Sequence, residues 1–245
     1  MSHSPLQLHE GAIFLSDAHY SFKHNELLPF LKALRSQEIQ TPQLLLMGDI
    51  FDLLFGGIPE TTVRNQEAVD LINTLSDNIE IIYLEGNHDF NLVDVFPGVT
   101  LFPIEQQPVS CHYKEQRVKI AHGDFNAPAG YRLYTLFIRN PFILKGLGLL
   151  NRVGGQFILK GLDRRLQRKD DCKSMDTFET YISRHLSKQE LHEIDLFIEG
   201  HYHQDLAFNI GGCHYVNLPA FACGSTYMRL EEQGMVSEHF GEHAS

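Results

Sequence analysis

The sequence predicts an α/β fold, and three observations carry that reading. Short apolar runs of strand length recur along the chain, and amphipathic stretches of helical period separate several of them. Five of the runs also end in a cluster of Asp, Asn, His and Gly. In an open α/β sheet, ligands bind outside the carboxyl ends of the strands, so polar clusters there mark a functional edge.

Gly11-Ala12-Ile13-Phe14-Leu15 reads as a buried strand that delivers Ser16-Asp17-Ala18-His19 at its tip. Leu27, Leu28, Phe30, Leu31 and Leu34 then recur at helical spacing between Glu26 and Ser36, and Thr41-Pro42 stops that helix. Gln43 to Met47 is a second strand, ending in Gly48-Asp49-Ile50-Phe51-Asp52. An amphipathic helix is predicted from Thr62 to Leu75, followed by a strand from Glu80 to Glu85 that ends in Gly86-Asn87-His88-Asp89. Val99 to Phe102, Val109 to Tyr113 and Gln116 to Ile120 are strand-like, and the last ends in Ala121-His122-Gly123-Asp124. Helical segments run from Tyr131 to Leu166, broken at Asn140-Pro141 and Gly154-Gly155, with a further helix from Met175 to Leu186. Ile194 to Ile198 ends in Gly200-His201-Tyr202-His203. Ala207 to Ile210, His214 to Asn217 and Tyr227 to Leu230 complete the strands, and Glu231 to Ser245 is expected to be a solvated terminus.

At 245 residues the chain is expected to form one domain (1–245), with a helical lid inserted at about 126–190. The formal charge of -11 argues against a nucleic-acid binder with a generally basic surface. That charge is unevenly spread, because ten of the 20 Lys and Arg residues lie between Arg132 and Lys173, against three Asp. Cys111, Cys172, Cys213 and Cys223 form no CxxC pair, so neither a zinc ribbon nor a disulfide framework is expected, and a reducing cytoplasm fits best. No signal-peptide pattern or spanning apolar run is read, which makes a cytoplasmic, soluble or peripheral protein the expectation.

A single Gly-Asp or Gly-His after a strand is usually a turn, but five such ends in one chain call for a common purpose. Oxygen and imidazole donors without thiolate suit Mn, Fe, Zn or Mg. Seven donors exceed the needs of one ion and match a pair of ions sharing a carboxylate at ~3.5–4 Å. The motif order from Ile13 to His203 resembles that of the calcineurin-like metallophosphoesterases. The resemblance implies a metallophosphoesterase-type α/β/β/α two-sheet sandwich and a phosphoester hydrolase with two divalent ions, Mn first among them. It also implies that Asp17, His19, Asp49 and His203 hold one metal and Asn87, His122 and His201 the other, with Asp49 bridging. His88 can be a structural histidine or a general acid, and in many of these enzymes the His of this motif is catalytic, oriented by the residue that corresponds to Asp52.

The inserted segment interleaves Leu133, Leu136, Phe137, Ile138, Phe142, Leu147 and Leu150 with Arg139, Lys145, Arg152 and Lys160. Such helices can pack as a lid with solvated charges, or can meet an anionic amphiphile or membrane surface. Ala129-Gly130-Tyr131-Arg132, Arg139-Asn140-Pro141 and Lys173-Ser174, following His122-Gly123-Asp124, look like the UDP-2,3-diacylglucosamine hydrolase family of the lipid A pathway. That resemblance implies cleavage of the nucleotide lipid to UMP and 2,3-diacylglucosamine 1-phosphate, at a site peripheral to the inner membrane. Tyr131 and Lys173 would then touch substrate, together with Asn87 and His201. The chain departs from that family in one place, where His88 follows the Asn ligand in place of the usual Arg. Loss of phosphate from a pyrophosphate needs little protonation, so His88 leaves room for a phosphodiester, nucleotide or phosphoprotein substrate.

Overall fold

The computed structural model describes residues 5–126, 129–166, 168 and 171–241. In chain order its elements are β1 (Leu6–Gln7), β2 (Ile13–Leu15), α1 (Leu27–Arg35), β3 (Gln43–Leu46), β4 (Leu54–Phe55), α2 (Pro59–Arg64), α3 (Gln66–Leu75), β5 (Glu80–Leu84), β6 (Asp89–Phe90) and β7 (Thr100–Phe102). There follow β8 (Val109–Tyr113), β9 (Gln116–Ala121), α4 (Ala129–Arg139), α5 (Pro141–Val153), α6 (Phe157–Leu166) and α7 (Phe178–His185). The chain ends with β10 (Leu196–Glu199), β11 (Leu206–Ile210), β12 (Cys213–Asn217), β13 (Thr226–Glu231) and β14 (Gly234–His239).

Two six-stranded sheets result, ordered β14-β13-β2-β3-β5-β7 and β1-β8-β9-β10-β12-β11. The neighbours β2, β3, β5 and β7 are parallel, as are β9, β10 and β12, so their carboxyl ends gather on one edge of each sheet. Alternation along the strands sets which face each residue joins. Ile13, Leu15, Leu44 and Leu46 pack with Phe30, Leu34, Val69 and Ile72 from α1 and α3. Phe14, Leu45 and Ile82 point the other way and meet Ile120, Ile198 and Val216 of the second sheet. Phe178 and Ile182 of α7 cover that sheet's outer face against Phe197 and Tyr215. This is the two-sheet α/β/β/α sandwich that the resemblance implies.

Between β9 and β10, α4 to α6 rest on a small separate core. Leu144 and Leu159 pack there on Leu53, Phe55, Ile58 and Phe90. The exposed pairs Arg64–Asp163 and Arg152–Glu60, at 2.7 Å each, tie α6 and α5 to α2.

Three expectations change. The helix expected from Thr62 to Leu75 is two helices, because the buried Asn65 amide donates to the carbonyls of Leu53 and Thr61 and breaks the run. Glu231 to His239 is no solvated tail: Gly234, at φ +129°, helps turn the chain into β14, which pairs with β13 along its length. Phe240 then packs on Phe30 and Phe221. Residues 242–245 of that stretch lie outside the described residues. Finally, Cys172 and Cys223 form a disulfide across 51 residues, against the expectation of none, while Cys111 and Cys213 are buried free thiols. Chain distance hid the pair, because only the return of the inserted segment to the strand edge brings the two together.

Candidate metal centre

The polar ends of β2, β3, β5, β9 and β10 converge where the parallel strands stop. Asp17, His19, Asp49, His201 and His203 have φ of 49°, 46°, 50°, 64° and 58°. This left-handed backbone costs roughly 1–3 kcal/mol per side-chain-bearing residue and persists where the surroundings enforce it. Gly86 shows how tight the enforcement is, since a Cβ there would stand 2.2 Å from Asp49 Oδ1 and 2.5 Å from its backbone nitrogen.

Asp17, His19 and His203 form one group with donor atoms within 4.8 Å of one another. Asp17 Oδ2 accepts from the Ser16 hydroxyl and, at 2.8 Å, from the His201 backbone N–H. Its Oδ1 is left facing His203 Nε2 at 3.0 Å and His19 Nε2 at 4.0 Å. Each ring is held from behind: His19 Nδ1 donates to Asp52 Oδ1 at 3.1 Å, and His203 Nδ1 donates to the carbonyl of Asp171. Those oxygens can only accept, so Nδ1 carries a proton and Nε2 is the ring atom turned toward the centre. Burial alone would raise the Asp17 carboxyl, but the neighbouring rings of His203 and then His122 together hold it below the usual carboxylate range.

Asp49, His122 and His201 form the second group. His122 Nδ1 donates to the Met47 carbonyl at 2.9 Å, which aims its Nε2 at Asp49 Oδ2, 3.5 Å away, and at His201 Nδ1, 3.2 Å away. Burial, then the neighbouring His122, pushes His201 down to about 4, so its imidazole is neutral at physiological pH, the form that ligates metal. Burial would raise the Asp49 carboxyl, but His88 and His122 hold it well below the usual range.

The Asn87 Oδ1, Asp17 Oδ1 and His19 Nε2 atoms are buried with no hydrogen-bond partner among the described residues. Buried acceptors are rarely left so, and an unpartnered Asp17 Oδ1 and His19 Nε2 beside a further imidazole fit a divalent cation. Asp17, His19 and His203, and Asp49, His122 and His201, are the groups that could hold divalent metal, and the buried Asn87 Oδ1 offers a further oxygen.

His88 stands over this centre with Nε2 3.9 Å from Asp49 Oδ2. Its expected orienting partner is corrected: the Asp52 carboxylate binds His19, and it is the backbone carbonyl of Asp52 that accepts from His88 Nδ1, at 3.0 Å. Only the fold could show which part of Asp52 reaches which ring. Lys173 is exposed, and its carbonyl accepts from Gln204 Nε2 at 3.1 Å. Tyr131 falls within α4, and its side chain lies outside the described residues.

Two residues beyond the expected set shape the site. Asp89, fully buried, accepts from the backbone N–H groups of Asp49, Ile50, Phe51 and Gly86 and from the Tyr83 hydroxyl. It thereby fixes the turn that carries Asp49. Burial, then the Asp49 charge, raises its carboxyl to about 7. Its place at the close of Gly86-Asn87-His88-Asp89 was a usable signal. Arg139, buried at 7% exposure, donates to the Gly86 carbonyl at 2.7 Å from the far side, and no pattern in the sequence links the two. Beside the centre, between α4–α6 and the body, a cavity of about 550 Å³ is lined by Phe55, Phe90, Leu144 and Leu159 among others, together with Asn87 and His88.

Residues 12–205 match the family described as calcineurin-like phosphoesterase. The chain belongs to that family. As a calcineurin-like phosphoesterase it is a metal-dependent hydrolase of phosphoesters, and the donor groups gathered at the strand ends are its candidate ligands for divalent metal. It is similar to UDP-2,3-diacylglucosamine hydrolase of Vibrio cholerae, at 24% identity over 204 residues, covering 81% of this chain and 83% of the relative. The enzyme of the same name from Psychromonas ingrahamii is 24% identical over 196 residues, 78% of this chain and 80% of the relative. A solved phosphoesterase from E. coli aligns with 95% of this chain and 94% of its own at 14% identity, with a TM-score of 0.47.

Proposed function

We propose that this phosphoesterase hydrolyses the pyrophosphate of a nucleotide lipid of the UDP-2,3-diacylglucosamine kind, with α4–α6 acting as a lid over the lipid. The observation that carries the reading is the cavity. Its largely apolar walls suit acyl chains, and His88, which stands beside Asp49, is part of its lining. The relatives named for that substrate support it.

In this reading Asp17, His19, Asp49 and His203 hold one ion, and Asn87, His122, His201 and the shared Asp49 the other. When bound, such an ion pair polarises a phosphoryl group and acidifies a water molecule. Hydrogen bonds at Nδ1 keep His19, His122 and His203 in the tautomer that presents Nε2, so the geometry is set before substrate arrives. His88, its Nδ1 proton held by the Asp52 carbonyl, presents Nε2 to a phosphoryl or leaving oxygen, and Asp52 acts on the centre through His19. Tyr131 and Lys173 remain proposed substrate contacts.

Several lid side chains, among them Phe142, Leu149, Val153 and Phe157, are exposed, interleaved with Arg and Lys. That pattern supports docking on an anionic membrane surface, the inner membrane in this reading. No helix among the described residues is long and apolar enough to cross a membrane.

The test is product analysis by mass spectrometry with Mn, offering UDP-2,3-diacylglucosamine beside bis-p-nitrophenyl phosphate. Release of UMP and the lipid 1-phosphate, falling at least about 10³-fold in Asp49→Ala, is the expected result. Turnover of the generic diester alone would replace the lipid reading with that of a phosphodiesterase, which His88 would serve as proton donor.

A further inference from the structure

The inserted segment returns to the body at Asp171 to Met175, and there it braces the loop after β10 that carries His201 and His203. The Asp171 carbonyl accepts from His203 Nδ1, the Lys173 carbonyl accepts from Gln204 Nε2 at 3.1 Å, and the Met175 backbone N–H donates to Gln204 Oε1 at 2.6 Å. Asp171 is buried, with a carboxylate oxygen 3.0 Å from Lys23 Nζ and 3.6 Å from His24 Nε2. A second brace comes from Phe221 and Ala222, whose backbone N–H groups donate to the carbonyls of Ser16 and Asp17 at 2.9 and 3.2 Å. The Cys172–Cys223 bond ties the two braces together. It thereby links the supports of His203 and Asp17, two of the donors in the first candidate metal group.

Cys172 and Cys223 are both exposed residues, whereas Cys111 and Cys213 are buried thiols that burial pushes up to about 12 and about 11. The thiolate is the attacking species in exchange, so the buried thiols are poor partners for the bond, and a dithiol from solution can reach it. We propose that Cys172 and Cys223 form a redox switch on the first metal group, in which the bond holds the return segment against His203 and its reduction weakens binding of the ion. A dithiol attacks one sulfur, forms a mixed disulfide and then closes to its own disulfide. Two electrons and two protons pass to the protein, leaving Cys172 and Cys223 as thiols. The reduced chain keeps the hydrogen bonds to Gln204 and the partly exposed Lys23–Asp171 pair, contacts of the kind that open and reclose locally. Each opening withdraws the acceptor from His203 Nδ1. Loss of the group that orients a metal-binding histidine costs about 10–100-fold in metal affinity or activity. A bond acting only on the unfolded chain would change stability and leave metal binding by the folded protein untouched. The inference rests on Asp17, His19 and His203 holding an ion and is independent of the substrate.

The experiment measures Mn binding by equilibrium dialysis, below the unfolding transition of every sample. The samples are air-oxidised wild type, wild type reduced with dithiothreitol and then freed of it under argon, and Cys172→Ser/Cys223→Ser. Thiol titration under denaturing conditions reports the redox state: Cys111 and Cys213 alone in the oxidised protein, all four cysteines in the reduced one. The expected result is a Kd for Mn at least about tenfold higher in reduced wild type and in the double variant than in oxidised wild type. Reoxidation restores tight binding in wild type and leaves the variant unchanged. Turnover of bis-p-nitrophenyl phosphate at low Mn follows the same order, and saturating Mn brings the three proteins together. Equal Kd values for folded oxidised and reduced wild type, a double variant that binds Mn as tightly as the oxidised protein, or four thiols in the air-oxidised protein would each overturn the switch alone. No Mn bound by any of the three would overturn the metal reading and the switch with it.

Discussion

The metal centre and the lid meet along one short stretch, Asn87 to Phe90, and are held by opposite means. At the centre nearly every donor is fixed twice. His122 is gripped through Nδ1 by Met47 and faces Asp49 through Nε2, and Asp17 divides its oxygens between Ser16 and His201 on one side and the histidine nitrogens on the other. Apart from the hydrogen bonds that join Arg139 to Gly86 and Asn91, the lid rests on the body through a small apolar cluster and a pair of exposed ion pairs, which are weakly stabilising. Hydrogen bonds specify position to a fraction of an ångström, whereas apolar burial tolerates sliding and repacking. One region is built for fixed geometry and the other for a ligand that varies in length and bend.

The sharpest way to break the contrast is Asp89→Asn. Asp89 touches none of the candidate ligand side chains, yet it accepts four backbone N–H groups, including that of Asp49. An Asn amide would turn an NH₂ toward donors, and the Asp49 turn would have to move. Displacement of a reacting group by about 1 Å costs on the order of 10²-fold in rate. Asp89→Asn should therefore lower kcat on bis-p-nitrophenyl phosphate at least that much and reduce bound metal measured by mass spectrometry. A variant with full metal and wild-type rate would show that the centre is less rigidly determined than its hydrogen bonds imply.

The same contrast explains what the sequence made legible. The ligand set could be read because each donor sits at a strand end beside Gly or Asp, a local pattern that needs no knowledge of long-range pairing. The two central sheets were legible from Ile13–Leu15, Leu44–Met47 and Ile194–Ile198 for the same reason. What stayed hidden depends on contacts across the chain: which end of Asp52 reaches His88, Arg139 meeting Gly86, and Cys172 meeting Cys223. β14 escaped because Met235, Val236 and the polar residues around them alternate too weakly to outweigh a Glu- and His-rich ending.

The disulfide sharpens the comparison at the point where the inserted segment returns to the centre. Asp171, next to Cys172, accepts from His203 Nδ1, and Ala222, next to Cys223, donates its N–H to the Asp17 carbonyl at 3.2 Å. The bond thus joins two segments that each support a candidate ligand. Closing a loop of this length stabilises by about 2–4 kcal/mol, chiefly by restricting the unfolded chain. The double variant Cys172→Ser/Cys223→Ser should lose that much in denaturant titration without reductant, and wild type should match it once a dithiol is added. No difference between the two under oxidising conditions would mean that the bond does not form in solution.

The smallest effects separate the lid's two faces. Leu144 is 2% exposed and packs against Phe55 and Phe90, so Leu144→Ala removes buried methyl groups and should cost about 2 kcal/mol. That is the low end for such truncations, because the neighbouring cavity leaves the lid room to settle inward. Leu149, five residues on in the same helix, is 63% exposed, and Leu149→Ser should change folding stability by less than about 0.5 kcal/mol. If α5 meets a membrane through that outer face, Leu149→Ser should nonetheless weaken flotation with vesicles containing anionic lipid, while Leu144→Ala should leave flotation intact and raise KM for the amphiphile. The two substitutions would then move different readouts in opposite combinations. Coincident effects of both on flotation and KM would mean instead that α5 acts as a single packed unit with no separate outward role.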